Sequence, residues 1–385
     1  MLGAARGRAK AFRPNSVVNV SAMSFGSLGA RAVEAINRGC ALAGCLQNTG
    51  EGGISDHHRH GAELVLQVGT AYFGCRDDAG KFSMETLKET IERAPQIRAI
   101  EIKLSQGAKP ALGGVLPAAK ITPEIAAARG IPRDRDCISP AHHSAFNDAD
   151  SLLDFVEAIA AETGLPVGIK SAVGEMAFWQ QLAAAMAAGG RGVDYIAIDG
   201  GEGGTGAGPL VFADHVALPF KTAFSRVRSE FVRHGIGDDV VWVGGGKLGL
   251  PETAFLAFGL GCDMLAVARE AMLAIGCIQA QRCHTGHCPA GVATHSRWLA
   301  RGLDPTLKSV RLANYIIALR KQLLSLSRAC GATHPALVTA DQIQIGDGKL
   351  GSATAAELFG VEPAPPDAEL REKIWQLMAG DADRN

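Results

Sequence analysis

Short apolar runs alternate with longer alanine-rich stretches along most of the chain, and this alternation limits its fold more than any other feature. The runs are nearly continuous in apolar residues, as expected for parallel strands that are buried on both faces. Stretches with apolar residues at helical spacing lie between them, as in residues 151–164. Repeated units of this kind predict either a (β/α)8 barrel or a doubly wound sheet. The clearest runs are VVNVSAM (17–23), IRAIEIKLS (97–105), PVGIKS (166–171), DYIAIDGG (194–201), VVWVGGG (240–246) and DMLAVAR (263–269).

The ends of the strands decide between these two folds. Glycine-rich or polar segments occur at several strand ends, including SAMSFGS, DGGEGG and VGGGK. In a barrel the C-terminal strand ends converge on one face, where active sites form. A dinucleotide-binding sheet would instead carry one early G-x-G-x-x-G motif, and the early glycines here do not fit that pattern. We therefore predict a (β/α)8 TIM barrel, with a long amphipathic helix packed outside it and a weakly helical C-terminal tail.

Two glycine clusters, DGGEGGTGAGP (199–209) and VGGGKLG (243–249), each follow a predicted strand. Backbone N–H groups at such strand-to-helix turns can cradle a phosphate, and Thr205 adds a hydroxyl donor. The alternative interpretation is a pair of simple tight turns. Because two clusters occur in succession, the sequence favours a ligand that carries a phosphate.

Charged and polar residues near further strand ends suit an anionic substrate. Gln106 and Lys109 follow the strand at 97–105, and Arg129 lies further along the chain. Arginine grips a carboxylate through two parallel hydrogen bonds, although a solvated loop is the usual place for lysine and arginine. Glu51 lies between glycines in NTGEGG, where a carboxylate can act as an acid or base or be an ordinary turn residue.

Three cysteines fall close together at C-x5-C-x4-C in CIQAQRCHTGHCP (277–289). The C-x2-C pairs of a typical zinc site are absent, and a disulfide would leave one thiol over. The spacing suits an iron–sulfur cluster with three protein ligands, while a Cys3His zinc site remains open. The zinc site would use Cys277, Cys283 and Cys288 with His284, His287 or His295.

The other cysteines and the histidine-rich segments predict no second metal site. Six cysteines lie mostly in apolar surroundings and are interpreted as reduced, buried thiols: Cys40, Cys45, Cys75, Cys137, Cys262 and Cys330. The histidine groups DHHRHG (56–61) and AHHS (141–144) lack helical spacing and a clear carboxylate partner, so we interpret them as loop histidines without a metal.

Composition excludes some partners. A formal net charge of -1 gives no support to binding of nucleic acid or of an anionic membrane. The longest apolar stretch, FLAFGLGCDMLAVAREAMLAIG, is interrupted by charged residues, and the basic N-terminus is not followed by an apolar signal segment. The sequence therefore predicts a soluble, cytoplasmic protein.

Six motifs in order resemble the FMN-binding synthase domain of glutamate synthase, and most of all its short stand-alone, archaeal-type form. The motifs are SAMSFGSL, NTGEGG, EIKLSQGAKPALGGVLPAAK, ISPAHHSAF, GGTGAGP and CHTGHCPAGVAT. The resemblance implies a (β/α)8 barrel at 16–330, with an iron–sulfur loop at 277–288. Residues 1–15 would be an N-terminal lead-in, and residues 331–385 a C-terminal extension with further helices.

The same resemblance implies the cofactors FMN and a [3Fe-4S] cluster and assigns their residues. Cys277, Cys283 and Cys288 would ligate the cluster, although the sequence does not distinguish [3Fe-4S] from [4Fe-4S]. Gln106, Lys109 and Arg129 would hold 2-oxoglutarate, and Glu51 and Lys109 would act in catalysis. Contacts to FMN would come from Ala22, Met23, Ser24, Lys170, Gly203, Gly204, Thr205, Gly245, Gly246 and Lys247.

The implied reaction is the synthesis of L-glutamate in ammonia assimilation, by hydride transfer from reduced FMN to 2-iminoglutarate. An N-methylglutamate synthase using methylamine and a non-catalytic FMN/iron–sulfur electron-transfer subunit are the alternatives. We find no glutaminase domain in the sequence, so ammonia would come free or from a glutaminase subunit. We also find no NAD(P) fingerprint, so electrons would come from a ferredoxin or an NAD(P)H-oxidising subunit. The chain departs from the large enzymes at two motifs. It has GGGK where they have GGLR, so that Lys247 replaces an arginine, and it has HTGHCP where they have HTNNCP.

Overall fold

Eight parallel strands form a closed barrel in the computed structural model of this chain, which confirms the predicted TIM barrel. The structure describes residues 1–204, 206, 208–209, 211–362 and 368–382, without the side chains of 379–382. Around the barrel the strand order is β1-β10-β9-β8-β7-β4-β3-β2. The barrel strands are β1 Val18–Val20, β2 Gln47–Asn48, β3 Leu64–Val68, β4 Ile97–Lys103, β7 Val167–Ser171, β8 Tyr195–Asp199, β9 Val241–Gly245 and β10 Met264–Val267.

The sequence prediction included six of the eight barrel strands and omitted β2 and β3. β2 has only the two polar residues Gln47 and Asn48, so it produces no apolar run. β3 does form an apolar run, LVLQV, which the prediction did not include. Two short antiparallel hairpins lie outside the barrel. They pair β5 Val115–Leu116 with β6 Cys137–Ile138, and β11 Gln344–Gly346 with β12 Ser352–Thr354.

Helices surround the barrel, and the long amphipathic helix α9 lies outside it as predicted. α9 packs mainly on α1, where Gly39 allows close approach because a Cβ there would lie 2.9 Å from Leu312. The helices are α1 Ala30–Ala43, α2 Met84–Arg93, α3 Pro123–Arg129, α4 Ala149–Thr163, α5 Ala177–Ala187, α6 Phe220–Arg233, α7 Pro251–Gly259, α8 Arg269–Ile275, α9 Pro305–Ala329, α10 Ala355–Phe359 and α11 Ala368–Ala382.

The first fifteen residues close the bottom of the barrel. Leu2 and Phe12 pair through their backbones and are buried in one cluster with Val65 and Tyr195 of the barrel interior. Arg8 binds both Glu157, at 2.6 Å, and Asp194, at 3.1 Å. The segment therefore closes the barrel at the end opposite the C-terminal strand ends.

No helix among the residues described has both the length and the apolar composition that crossing a membrane requires.

Candidate active site

A cavity of about 310 Å³ opens at the C-terminal ends of the barrel strands. Active sites of TIM barrels form at this end. Another cavity, of about 320 Å³, lies at the opposite end, beside Asp194 and the loop Gly237–Val240. None of the predicted site residues lines that second cavity, whereas most of them line the first. The candidate active site is therefore the cavity at the C-terminal strand ends.

Glu51 is held in this cavity by the turn that follows β2. Gly50 and Gly53 have φ angles of +68° and +74°, which favour glycine, and a Cβ on Gly50 would lie 2.6 Å from the backbone nitrogen of Ser24. Asn48 Oδ1 accepts a hydrogen bond from the Gly50 backbone and fixes the turn. The motif NTGEGG thus provides the backbone that brings the Glu51 carboxylate to the cavity.

Three cations surround Glu51. Its carboxylate pairs with Lys103 Nζ at 2.7 Å, and Lys109 and Arg129 lie close enough to interact with it. Burial would raise the pKa of Glu51, but these three positive charges together lower it below its ordinary value. Glu51 is therefore a carboxylate at neutral pH, in a position to attract a cation or accept a proton.

Lys109 and Gln106 lie in the loop after β4, as the sequence predicts. Lys103 Nζ, at the end of β4, donates to Gln106 Oε1 at 3.3 Å as well as to Glu51. Burial lowers the pKa of Lys109, and the neighbouring Lys103 lowers it further, while Glu51 opposes them. A lysine with a lowered pKa exchanges its proton more readily near neutral pH than an exposed one.

Arg129 ends α3 and is almost fully buried. Its Nη2 donates to the carbonyl of Phe25 at 3.1 Å, and its guanidinium lies 5.0 Å from the ring centroid of Phe73. Its Nε is buried without a hydrogen-bond partner. Other atoms of the Arg129 side chain line the cavity, so the positive charge of its guanidinium is available to a carboxylate there.

Ala22, Met23 and Ser24 follow β1 and line the cavity, as do Lys170, Gly203, Gly204, Gly246 and Lys247. Lys170 Nζ lies 3.6 Å from Asp199 Oδ2 in the centre of the barrel mouth. Gly245 ends β9 and accepts a backbone hydrogen bond from Gly200, but it does not line the cavity. Thr205, the predicted hydroxyl donor, lies outside the described residues.

The two glycine turns leave room that a side chain would fill. A Cβ on Gly204 would lie 2.5 Å from Arg269 Nη2, and Gly246 has a φ of +114°. Lys247 Nζ lies 3.7 Å from Asp214. Arg269 begins α8 directly after β10, so both basic residues stand in the loops after the seventh and eighth barrel strands. That is where barrels often bind phosphate.

The cysteine loop lies beside Gly206. Cys277 and Cys283 line the cavity, whereas Cys288 is buried behind it. A Cβ on Gly206 would lie 2.4 Å from Cys283 Sγ. Burial raises the pKa of the Cys283 thiol, and the neighbouring Cys288 and Cys277 raise it further. The fold therefore brings the three predicted cysteines together, and all nine cysteines are free thiols.

The sulfur positions bear on which metal group fits. Around one tetrahedral zinc ion with Zn–S bonds of about 2.3 Å, the sulfurs would lie about 3.8 Å apart. Among the described residues, no three cysteine or histidine donor atoms of this loop lie within 4.8 Å of one another. His295 instead hydrogen-bonds the Gly26 carbonyl at 3.0 Å. The described donors of this loop therefore do not surround a single ion as they stand.

Several residues at the site were not assigned from the sequence. Lys103 pairs with Glu51, Arg269 contacts Gly204, and Lys120 donates to the Cys283 carbonyl at 2.9 Å. Lys103 and Lys120 both stand in the motif at 101–120, so the signal was present. Their partners are far away in sequence, and only the folded chain identifies them.

The histidines of AHHS belong to no group of three potential metal ligands among the residues described. His143 is buried, with Nε2 2.9 Å from the Lys103 carbonyl and Nδ1 3.2 Å from the Tyr72 hydroxyl. It supports the strand end that carries Lys103.

Residues 7–333 match the family model described as the conserved region in glutamate synthase. The chain belongs to the glutamate synthase family. It is 40% identical over 328 residues to the glutamate synthase large subunit-like protein YerD of Bacillus subtilis, covering 85% of this chain and 62% of that protein. It is 33% identical over 317 residues to the archaeal glutamate synthase [NADPH] of Methanocaldococcus jannaschii, covering 82% of this chain and 59% of that protein.

The chain thus spans about three fifths of the length of these family members. Among solved structures, it is similar to a mandelate oxidase variant with bound 2-hydroxy-phenylacetamide. The TM-score is 0.52 at 14% identity, over 86% of this chain and 78% of the other. At this identity the likeness concerns the barrel fold alone.

Proposed function

We propose that this chain is the synthase barrel of a glutamate synthase-type enzyme, which binds FMN and an iron–sulfur cluster and reductively aminates 2-oxoglutarate to L-glutamate. Its membership of the family supports the activity, and the site supports the substrate. Residues 16–330 would form this catalytic unit, with 1–15 as the lead-in and 331–385 as the extension.

The charge balance around Glu51 carries the substrate assignment. Lys103, Lys109 and Arg129 provide three positive charges against the single carboxylate of Glu51, which leaves two positive charges in excess. A dicarboxylate such as 2-oxoglutarate carries two negative charges and would neutralise this excess. We assign one carboxylate to the Arg129 guanidinium and the other to Lys109 with Gln106, all of which line the cavity.

The glycine turns and basic residues fit FMN. Lys247 and Arg269 flank the turns at Gly204 and Gly246, where the phosphate would lie. Ala22, Met23 and Ser24 and the buried Lys170 line the part of the cavity left for the ring system. When bound and reduced, FMN supplies the hydride that the amination requires. The predicted contacts of Gly203, Gly245 and Thr205 remain proposals of the same kind.

The protein residues would prepare the substrate for this hydride. The Glu51 carboxylate would attract ammonium to the keto carbon and accept a proton from it. Lys109, whose pKa is lowered by burial, would donate a proton to the leaving oxygen during imine formation. Arg129 and Gln106 would fix the orientation of the bound dicarboxylate.

Cys277, Cys283 and Cys288 would ligate the cluster, because the fold brings these three thiols together beside the cavity. Electrons from a ferredoxin or an NAD(P)H-oxidising subunit would enter there, and a glutaminase subunit would supply ammonia. We propose [3Fe-4S], the form implied by the resemblance.

Anaerobically purified protein would test this proposal. We expect FMN and iron in the protein, flavin absorption bands with a broad iron–sulfur shoulder, and L-glutamate from 2-oxoglutarate, ammonia and a chemical reductant. Product from methylamine but not ammonia would indicate the N-methylglutamate alternative. A flavin-loaded protein that converts no 2-oxo acid with either amine would favour the electron-transfer subunit. A colourless protein that binds zinc and refuses FMN would contradict the cofactor assignment.

A further inference from the structure

The segment DHHRHG (56–61) lies outside the candidate active site. His57 and His60 of this segment meet Glu34 of α1 on the outside of the barrel. One ring nitrogen of each histidine and one carboxylate oxygen lie within 4.8 Å of one another. None of the three residues lines the active-site cavity. The sequence did not indicate this carboxylate partner, because Glu34 lies in α1, far from His57 along the chain.

The His60 backbone and the His57 ring are held by contacts of their own. The His60 backbone nitrogen donates to Asn37 Oδ1 at 2.7 Å, and Asn37 is fully buried one helical turn from Glu34. The His57 ring packs against Phe25 with a centroid distance of 5.2 Å, and its Nε2 lies 2.6 Å from Glu124 Oε1. The loop backbone and the His57 ring are therefore held close to Glu34, which reduces the cost of gathering the three donors around an ion.

The backbone between the two histidines is fixed as well. Ser55 and the fully buried His58 form a reciprocal cap, in which His58 Nδ1 accepts from the Ser55 backbone nitrogen at 3.2 Å. Gly61 has a φ of +107° and directs the chain back toward α1. The geometry of the loop is therefore set by buried residues rather than by the side chains of His57 and His60.

We propose that Glu34, His57 and His60 form a binding site for Zn²⁺ or a similar divalent transition-metal ion. Two imidazoles and one carboxylate are a known zinc donor set, with a fourth position left for water. Bonds of about 2.0–2.1 Å place such donors about 3.4 Å apart, so side-chain rotation suffices to close the site.

The surrounding charges are compatible with this ion. Arg38 pairs with Glu34 at 2.7 Å through one oxygen and can remain bonded to that carboxylate from outside. Arg59 pairs with Asp56 at 3.6 Å, and the Glu124 carboxylate adds negative charge beside His57. A carboxylate paired with a histidine is also a common outer partner of a metal-bound imidazole.

The ion would brace a wall of the active site. Glu124 belongs to α3, the helix that ends in Arg129, and Phe25 both contacts His57 and accepts the hydrogen bond from Arg129. A bound ion would therefore stabilise the elements that position Arg129. The proposal does not depend on the function proposed above.

Zinc content and zinc-edge X-ray absorption of untagged holoprotein, equilibrated with ZnSO₄ and desalted, would test the site. We expect one zinc ion with only nitrogen and oxygen neighbours, and a melting temperature raised by zinc. Glu34→Gln and His60→Gln should each weaken zinc binding at least tenfold. His142→Gln, which changes an exposed histidine of the AHHS pair, should bind zinc like the unchanged protein.

Equal zinc content in the unchanged protein and the His60→Gln variant would overturn the proposal. Sulfur neighbours at about 2.3 Å would do the same, because they would place the zinc at cysteines. Melting curves recorded without zinc would show whether each variant is folded, and Glu34→Gln provides a second test if His60→Gln is not.

Discussion

Glu51 is the residue on which the chemistry of the site most depends. Its carboxylate is kept ionised by Lys103, Lys109 and Arg129 despite burial. We expect Glu51→Gln to lower kcat about 10²–10⁴-fold, because the amide can neither accept the proton nor attract ammonium. Steady-state formation of glutamate would measure the loss, and the flavin spectrum should remain unchanged.

The control for this change is Glu175→Gln, which alters an exposed carboxylate in the loop after β7. It should leave kcat within twofold. If Glu51→Gln had an equally small effect, Glu51 would have no part in the reaction.

Arg129 differs from the other cations because its guanidinium is buried and its Nε has no partner. We expect Arg129→Lys to raise KM for 2-oxoglutarate at least tenfold with a smaller change in kcat. Lysine keeps the charge but loses the planar pair of donors. Steady-state kinetics with varied 2-oxoglutarate would separate the two constants. Arg133→Lys, on an exposed loop residue, is the matched control, and an unchanged KM in Arg129→Lys would contradict the carboxylate assignment.

Lys120 links two elements, the short 3₁₀ helix at Ala118–Lys120 and the cysteine loop. It is buried, donates to the Cys283 carbonyl at 2.9 Å, and its charge acts on Cys283 and Cys288. If the loop holds a cluster, Lys120→Met should lower its reduction potential by on the order of tens of millivolts, because a nearby positive charge favours the reduced state.

A redox titration followed by electron paramagnetic resonance would measure this potential. Lys120→Arg keeps the charge and should stay closer to the unchanged protein. Equal potentials in Lys120→Met and the unchanged protein, at equal iron content, would show that the charge of Lys120 has no influence.

Glu101 joins the strands β2, β3 and β4 inside the barrel. Asn48 Nδ2 and Gln67 Nε2 both donate to Glu101 Oε1 at 2.7 Å. Burial raises the pKa of Glu101, so the folded protein binds this proton more tightly than the unfolded chain. The contribution of Glu101 to stability therefore declines as pH rises from the ordinary carboxylate pKa through the raised folded value.

Glu101→Gln should remove this dependence, since the amide does not titrate. As pH rises from 4.5 to 8, the urea unfolding midpoint of Glu101→Gln should increase relative to that of the unchanged protein. Glu175→Gln should show no such trend. Parallel midpoints for Glu101→Gln and the unchanged protein across this range would mean that Glu101 does not titrate differently in the folded state.

The sequence predicted the secondary-structure elements and the strand ends better than the pairs of side chains that interact from distant positions in the chain. The turn NTGEGG and the glycines at 203–204 and 245–246 were found because each is local and has a specific backbone requirement. The pairs Glu51 with Lys103 and Lys120 with Cys283 join residues 52 and 163 positions apart. No local pattern fixes such pairs, because they depend on which strand ends become neighbours in the closed barrel.

The short strands were missed for a related reason. β2 has two residues and is a strand only because β1 and β3 pair with it on either side. Glu34 likewise meets His57 only because the turn at 55–61 packs back onto α1. In each case the structure of the segment is determined by a neighbour in the folded protein. The residues of the segment alone are not sufficient to predict it.

In the whole molecule, the two ends of the barrel differ in structure. The C-terminal strand ends hold the charged cavity, while the opposite end is closed by residues 1–15. Phe12 is 5% exposed, packs in the lower barrel cluster, and has Arg98 above its ring at 4.5 Å. A change at this end should therefore affect stability without affecting chemistry.

Phe12→Ala tests this separation. We expect it to lower the free energy of unfolding by about 3–5 kcal/mol, because it opens a cavity beneath the barrel. Phe12→Leu preserves most of the volume and should cost less than about 1.5 kcal/mol. Urea unfolding would measure both. At a temperature where each variant is fully folded, kcat and KM should match those of the unchanged protein. A fall in kcat proportional to the loss of stability would show instead that the closed lower end sets the geometry of the strand ends above it.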